Sequence, residues 1–311
     1  MFKLPAMPSA RADVHELADF AELLAWQHNS VSIREILSYL GQLGDNEYNQ
    51  GADDEDDQNA DALDEVMGEI SRRSQACGTG YPFMLDLNGT VVRHQVADNS
   101  QRADVYRYLL LSTRLNMTTD KMQDGVDGTT LLEELAAVVL RCYLGPNRAR
   151  SFVFGTAAAG GFQGKIHQLC QEIGEGGVFS NNDVGGPVDA NDDKLDAVAW
   201  VPFTDGRAGK LVVFCQCKTG SNWKDHVTQL QPDAFLRRWT SSRGYLLCPV
   251  RAFCVSESVL QTKWNGLAGY AGLLFDRLRL VDFLGQVEDD LMLRLRRWNA
   301  AAASVASNAM S

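Results

Sequence analysis

The sequence lacks the features that place a protein in a membrane, a secretory pathway or a disulfide-rich fold. No run of about 18 apolar residues occurs, and the segment 1–8 is too short and too poor in charge for a secretory signal. The seven cysteines are odd in number and form no Cys-x-x-Cys pair, which favours reduced, buried thiols over disulfides. We therefore expect a cytoplasmic, mostly globular protein that makes no membrane contact.

Two common catalytic signatures are also missing. No serine lies in a Gly-x-Ser-x-Gly context, so nothing supports a Ser-His-Asp hydrolase. The glycine-rich segment 160–166 lacks both the glycine spacing of a P-loop and the Ser or Thr that follows its lysine. Lys165, within this segment, still qualifies as a candidate contact for a nucleic-acid phosphate.

Basic charge is scarce, although phosphate neutralisation usually dominates the affinity of DNA-binding proteins. The net charge is −11, and residues 1–75 account for all of it, with 16 acidic and five basic side chains. The rest of the chain is electrically balanced. Arg237 and Arg238 are candidate DNA contacts, but such a pair is equally typical of a solvated helix face. Any DNA grip must come from local patches of this kind or from a partner.

Two predicted strands carry the most informative residues that are present. Residues 195–200 and 212–218 are apolar runs joined by a glycine-containing turn, which predicts a hairpin of neighbouring strands. Side chains alternate along a strand, so Gln216 and Lys218 share one face while Cys217 points the other way. The hairpin thereby carries Asp196, Gln216 and Lys218 toward one point.

These residue types suit a hard metal ion. The Asp196 carboxylate, the Gln216 side-chain oxygen and the backbone carbonyl of Cys217 are oxygen ligands of the kind that Mg²⁺ prefers. The Lys218 ammonium beside them can orient water or stabilise charge on a phosphate. The pattern predicts a metal-dependent phosphodiesterase, with Mg²⁺ as the cofactor and Mn²⁺ as a possible substitute.

The same residues resemble the PD-(D/E)xK nuclease superfamily, of restriction-endonuclease-like fold, and most nearly its Mrr-like branch, in which Gln replaces the second acid to give QxK. The resemblance spans residues 125 to 290 on short motifs. It implies an acidic residue on the first core helix, near the metal. Residues 131–140 predict that buried helix, and we prefer Glu134, with Glu133 as the alternative.

The chain also departs from the family pattern. The Pro-Asp dipeptide is absent because Leu195 precedes Asp196, and Asp193 is a rival for the first acid. Gln216 is neutral and hence a weaker metal ligand than Glu. Downstream of Lys218, Gln229 lies in a predicted helix and is a further candidate for the site.

The predicted fold is α/β, with a restriction-endonuclease-like mixed central sheet flanked by helices and an N-terminal, mainly helical accessory module that includes a β-hairpin. We divide the chain into an accessory or partner-binding module over 1–120, with an acidic linker near 45–61, a nuclease domain over 121–298, and a disordered tail over 299–311. Asn88-Gly89 between apolar runs indicates the accessory hairpin.

The expected function is Mg²⁺-dependent cleavage of DNA by the effector nuclease of a prokaryotic restriction or antiphage defence system. The resemblance further implies a protein partner such as an ATPase or helicase, or self-association. Two alternatives stay open: an inactive nuclease-fold subunit that docks such a partner, and an RNA-cleaving enzyme of the same fold.

Overall fold

The computed structural model describes residues 2–9, 11–40, 53–86, 88–95, 100–158, 160–182 and 193–310, with the backbone alone for 53–63. Within these ranges the chain forms helices α1 (Val14–His28), α2 (Ile33–Tyr39), α3 (Asp53–Cys77), α4 (Gln101–Arg114), α5 (Gly128–Tyr143), α6 (Phe162–Ile173), α7 (Pro232–Trp239), α8 (Trp264–Ala271), α9 (Arg277–Asp282) and α10 (Asp289–Met310). The described strands are β1 (Ser30–Ser32), β2 (Phe83–Leu85), β3 (Val91–His94), β4 (Met122–Gln123), β5 (Val126–Asp127), β6 (Arg150–Val153), β7 (Ala197–Val201), β8 (Leu211–Lys218), β9 (Val250–Val255) and β10 (Leu273–Phe275).

A five-stranded mixed sheet with the order β10-β9-β8-β7-β6 is the centre of the fold. Strands β6, β7 and β8 are antiparallel neighbours, and β8, β9 and β10 run parallel. The carboxyl ends of β6, β8 and β9 therefore meet the amino end of β7 at one edge. The predicted α/β class with a mixed sheet flanked by helices is confirmed.

Each face of this sheet packs against different helices. Along β8, Val213, Cys215 and Cys217 join the core that includes apolar residues of α5. Val212 and Phe214 join the core formed with α6 and α7. This alternation is the period-two pattern that the sequence predicted for residues 212–218, and it assigns Gln216 to the side of α6 and α7.

The N-terminal part contains α1 to α4 and a three-stranded sheet with the order β1-β3-β2. The predicted hairpin is confirmed, since Phe83 pairs with His94 and Leu85 with Val92 in an antiparallel ladder. Gly89 in its turn has φ +69°, a backbone conformation that costs glycine little. None of the helices in the described ranges combines the length and apolar character needed to cross a bilayer.

A buried ion network joins this part to the C-terminal half. Asp19 of α1 is fully buried and accepts hydrogen bonds from Arg73 (2.6 Å), Arg114 (2.7 Å) and Arg277 (2.8 and 2.9 Å). Burial alone would raise the pKa of Asp19, but the three guanidinium groups hold it well below its usual value. Each of the three arginines is paired with this buried carboxylate, so the network is a structural element of the fold.

The predicted accessory module and nuclease domain share one hydrophobic core. The same cluster contains Phe20 of α1, Leu109 of α4, Val213 of β8 and Leu295 of α10. No break in this cluster coincides with the predicted boundary at residue 120. The two segments are therefore parts of one packed unit.

The prediction of a disordered tail over 299–311 is wrong for residues 299–310, which continue α10. Ala302, Ala306 and Met310 lie one helical turn apart and are buried, and α10 packs along α4. The small side chains that suggested a frayed end instead allow close approach of two helices.

The acidic linker prediction is also corrected in part. Residues 45–52 lie outside the described ranges, but α3 begins at Asp53, inside the predicted linker. Acidic residues favour the first turn of a helix because they complement its dipole, so an acidic run is compatible with a helix start.

Two later elements differ from expectation as well. The apolar run 244–250 predicts a strand, but the structure begins that strand only at Val250. Residues 224–239 predict one helix, whereas the structure has a short 3-10 turn (Trp223–His226) followed by α7. Pro232 at the first turn of α7 explains the late start of that helix.

Candidate active site

Helix α5 brings a carboxylate to the sheet edge. Its N-terminus is capped by the Asp127 side chain, which accepts a hydrogen bond from the Thr129 amide at 2.9 Å. A buried apolar stripe holds α5 against β6, β7 and β8, and it consists of Leu131, Leu132, Leu135, Ala136, Val139 and Leu140. Glu133 lies within this segment, next to Leu132, and is 6 % exposed.

The loop after β6 binds both oxygens of this carboxylate. Thr156 Oγ1 donates to Glu133 Oε1 at 2.7 Å, and the Ala157 backbone N–H donates to Glu133 Oε2 at 2.8 Å. Hydrogen bonds to the charged form stabilise a buried carboxylate. Glu133 is therefore held in one orientation at the end of β6.

Asp196 lies immediately before β7 and is anchored from three sides. Its backbone oxygen accepts from the amides of Phe154 and Gly155, both at 2.8 Å. Its own amide donates to the Cys215 carbonyl at 2.8 Å, and its Oδ2 accepts from the Cys217 amide at 2.7 Å. Asp196 thus contacts the residues on both sides of Gln216 in β8.

The carboxylates of Glu133 and Asp196 converge above Gly155. A Cβ atom built on this glycine lies 2.6 Å from Glu133 Oε2 and 2.9 Å from Asp196 Oδ1. No real side chain fits there, so the glycine leaves a small space lined by two carboxylate oxygens. Two acids at such close quarters are the donor set that a hard divalent cation favours.

Gln216 supplies a further oxygen whose bonding capacity is unused. The residue is fully buried two positions before the end of β8, and its Nε2 donates to Gln229 Oε1 at 3.2 Å. Its Oε1 has no hydrogen-bond partner within the described residues. A buried acceptor left without a partner costs about 1–3 kcal/mol, and a cation or a water molecule satisfies it. The two carboxylates and this unpaired oxygen are both features that fit a Mg²⁺ ion.

Lys218 ends β8 at the same edge. It is half-buried, and among the described residues no hydrogen bond or ion pair involves its ammonium group. Cys217 lies between Gln216 and Lys218, and its amide is the group that holds Asp196. The structure thus gathers Asp196, Gln216, Cys217 and Lys218 at one edge, as the sequence predicted.

Lys165 reaches this edge from the opposite face of the sheet. It lies in the first turn of α6, is 6 % exposed, and donates from Nζ to the Gly155 carbonyl at 2.6 Å. Helices α5 and α6 therefore each contribute one charged side chain around the same glycine. The assignment of Lys165 as a contact for a nucleic-acid phosphate stays a prediction.

The preference for Glu134 over Glu133 is not supported by the structure. Glu134 forms a bidentate ion pair with Arg294 of α10, in which Nη1 donates to Oε1 at 2.8 Å and Nη2 donates to Oε2 at 2.6 Å. Consecutive helical residues point about 100° apart, so only one of them can face the sheet edge. That residue is Glu133, the alternative.

The remaining candidates are divided between two locations. Asp193 lies outside the group, because its Oδ2 accepts from Arg238 Nη1 at 2.7 Å and from the Trp239 indole at 2.6 Å. Arg237 is exposed and pairs with Asp233 at 2.9 Å. Both predicted DNA-contacting arginines are thus ion-paired on α7. Gln229 alone touches the site, through Gln216.

A thiol cluster lies on the face of β8 that packs against α5. The sulfur atoms of Cys215, Cys217 and Cys254 are within 4.8 Å of one another and belong to the buried core. Burial raises the pKa of all three thiols well above the ordinary value, which keeps them protonated. They are neutral packing groups and separate from the hard oxygen ligands at the edge.

Sequence reasoning missed the loop that orients Glu133. Gly155, Thr156 and the Ala157 amide follow an apolar strand, but loop donors have no periodic pattern. The available signal was a small Gly-Thr pair directly after the strand. No protein family model, curated protein or solved structure matches the chain.

Proposed function

We propose that this protein is a Mg²⁺-dependent DNA endonuclease with a restriction-endonuclease-like core, acting as a defence nuclease. One observation carries the proposal: the carboxylates of Glu133 and Asp196 converge above Gly155, at the edge where Gln216 and Lys218 end β8. Two adjacent acidic residues next to a lysine are typical of sites that hydrolyse phosphodiesters with a bound metal ion.

The order of the elements supports the same proposal. A buried helix with an inward carboxylate (α5) precedes a strand that begins at the Asp (β7), a tight turn, a strand ending in QxK (β8), and a further helix (α7). The resemblance to PD-(D/E)xK nucleases implies this sequence of elements. Fold alone does not establish chemistry, so the argument depends on the residues at the edge.

The residues have separate roles in the proposed reaction. Glu133 and Asp196 bind Mg²⁺ together with the Gln216 Oε1 and the Cys217 carbonyl. The bound ion supplies Lewis acidity and offsets negative charge on the phosphate as it is attacked. The Lys218 ammonium would orient the attacking water by donating a hydrogen bond to it, and Lys165 keeps the Gly155 loop beside both acids.

The charge distribution indicates how DNA is held. Arg237 and Arg238 are already paired with acidic side chains, and residues 76–311 have no net charge. Since counterion release by unpaired Lys and Arg provides most nonspecific affinity, this chain alone binds DNA weakly. The proposal therefore includes a partner that supplies basic surface, such as an ATPase or helicase subunit.

The test is incubation of the wild-type protein with supercoiled plasmid, linear duplex, single-stranded DNA and RNA, in Mg²⁺, Mn²⁺ or EDTA. We expect metal-dependent cleavage of DNA that is lost in Lys218→Ala, Asp196→Asn and Glu133→Gln. Glu134→Gln is a matched control, because it neutralises the adjacent carboxylate, which faces Arg294 and not the site.

Each outcome has a defined meaning. Cleavage that survives Glu133→Gln but not Glu134→Gln contradicts the site as assembled here. Cleavage of RNA in preference to DNA replaces the substrate in the proposal. No cleavage of any substrate, with the folded protein verified by circular dichroism and with cell extract added as a source of partner, supports the inactive docking subunit.

A further inference from the structure

The amide of Gln216 has two unlike ends, and the structure assigns them different surroundings. Its Nε2 donates to Gln229 Oε1 at 3.2 Å, while its Oε1 is buried without a partner among the described residues. A carboxylate at this position would present an oxygen in either orientation, whereas an amide presents one oxygen and one NH₂ group. An NH₂ group cannot bind a cation. Gln216 is therefore useful as a ligand only when its amide is oriented.

The orientation follows from a directed chain of hydrogen bonds. Gln229 Nε2 contacts His226 Nδ1 at 2.8 Å, and since an amide NH₂ only donates, the imidazole nitrogen accepts. Gln229 must then turn its Oε1 toward Gln216, where it can only accept. The polarity of the chain leaves Gln216 Oε1 as the unpaired end. Reversing the chain would leave the NH₂ group there instead.

We propose that Gln229 is a positioning residue, which orients the Gln216 amide so that its oxygen and not its nitrogen is available to the metal. The inference rests on the proposed function, since it concerns the same metal site. It explains how the site functions with a glutamine at the position of the second acid in the PD-(D/E)xK pattern. The orienting partner becomes necessary when the symmetric carboxylate is replaced by an asymmetric amide.

If Gln229 orients the Gln216 amide, the effect of a Gln229 substitution on metal binding should depend on which residue occupies position 216. In the native background, Gln229→Leu removes the acceptor that holds Gln216 Nε2, so the amide can turn and metal binding weakens. In the Gln216→Glu background either carboxylate oxygen serves, so the same Gln229→Leu change has little effect. A merely structural role of Gln229 would weaken binding equally in both backgrounds.

The measurement is direct Mn²⁺ binding, followed by the electron paramagnetic resonance signal of the free ion, and it requires no cleavage. The proteins are wild type, Gln229→Leu, Gln216→Glu and the double variant. Gln231→Leu is the matched control, because this neighbouring glutamine is exposed and donates to the Thr228 carbonyl at 2.7 Å. We expect about a tenfold loss of affinity for Gln229→Leu, the factor that one hydrogen bond supplies.

In the Gln216→Glu background the loss on adding Gln229→Leu should be less than about twofold, and Gln231→Leu should match its parent. Equal losses in both backgrounds, or no loss in either, would overturn the positioning role while leaving the metal site intact. Absence of Mn²⁺ binding by the wild-type protein would instead overturn the proposed function itself. A folded double variant would show that Gln229→Leu is compatible with the fold.

Discussion

Replacing Arg277 by Met tests whether the buried ion network joins the two halves of the molecule. The guanidinium is fully buried, donates twice to Asp19 and also to the Ser256 carbonyl (3.0 Å) and the Thr113 hydroxyl (3.2 Å). Met fills a similar volume but offers no donor. The substitution therefore removes four hydrogen bonds without opening a large cavity.

The expected cost follows from what the network retains. Breaking a buried ion pair by removing one partner costs about 3–5 kcal/mol. Asp19 keeps its ion pairs with Arg73 and Arg114, so its charge stays compensated. We therefore expect the lower end of this range, a loss of about 3 kcal/mol in the free energy of unfolding. With an unfolding entropy of about 2 cal/mol/K per residue, this lowers Tm by about 5 °C.

Urea unfolding, followed by far-ultraviolet circular dichroism and by tryptophan fluorescence, measures this loss. Both signals should shift together, since one core spans the N-terminal and C-terminal parts. Arg296→Met is the control: its half-exposed ion pair with Asp104 should contribute about 1 kcal/mol or less. A loss as small as that of the control, or two separate transitions in Arg277→Met, would refute the reasoning.

Three further predictions concern other parts of the molecule. Gly155→Ala should weaken Mn²⁺ binding and cost about 1–3 kcal/mol, because its Cβ meets both site carboxylates; unchanged metal affinity in a titration would contradict the convergence of the two acids. Burial and the neighbouring Arg107 lower the pKa of His94 to about 4, so the unfolded chain binds a proton that the folded chain does not, and the stability of the wild-type protein falls between pH 6.5 and 4. Compared with His94→Gln by denaturation, and allowing for the partial exposure of His94, this loss should be about 1–2 kcal/mol. Parallel pH profiles of the two proteins would disprove the role of His94. Iodoacetamide labelling read by mass spectrometry should modify exposed Cys248 in the native protein and Cys254 only after unfolding, since burial raises the pKa of that thiol; native labelling of Cys254 would show that the thiol cluster is accessible.

The parts of the site that sequence reasoning identified are those with a local pattern. Alternating apolar residues and a glycine-containing turn predict β7 and β8, and the QxK spacing follows from the pleat of a strand. The glycines at 160 and 161 predict a loop that turns before a helix over residues 162–173, and the structure shows these bounds for α6. The local information was sufficient for these elements.

The choice between Glu133 and Glu134 could not be made in the same way. Helix α5 is apolar almost all round, so the sequence contains no polar face that indicates its rotation. The rotation is set by Arg294, which is 160 positions away and pairs with Glu134. Such a contact is a property of tertiary packing and leaves no trace in the neighbouring residues.

The C-terminal helix shows a different kind of failure. The Ala302, Ala306 and Met310 stripe has helical spacing and was present in the sequence, but small side chains also occur in frayed ends. Burial against α4 decides between these readings, and α4 is distant in the chain. The loop donors around Glu133 have no pattern at all, since a single Thr hydroxyl and a backbone amide carry the contact.

The ion network also limits which sequence changes this protein can accept during evolution. Asp19 and Arg277 are separated by 258 positions yet share one buried contact, so a mutation at one of them is costly unless the other changes as well. Recombination that exchanged the N-terminal part for that of a diverged relative would break such pairs at several points simultaneously. We therefore expect the two ends of the gene to be inherited together, and residues 19 and 277 to covary among relatives.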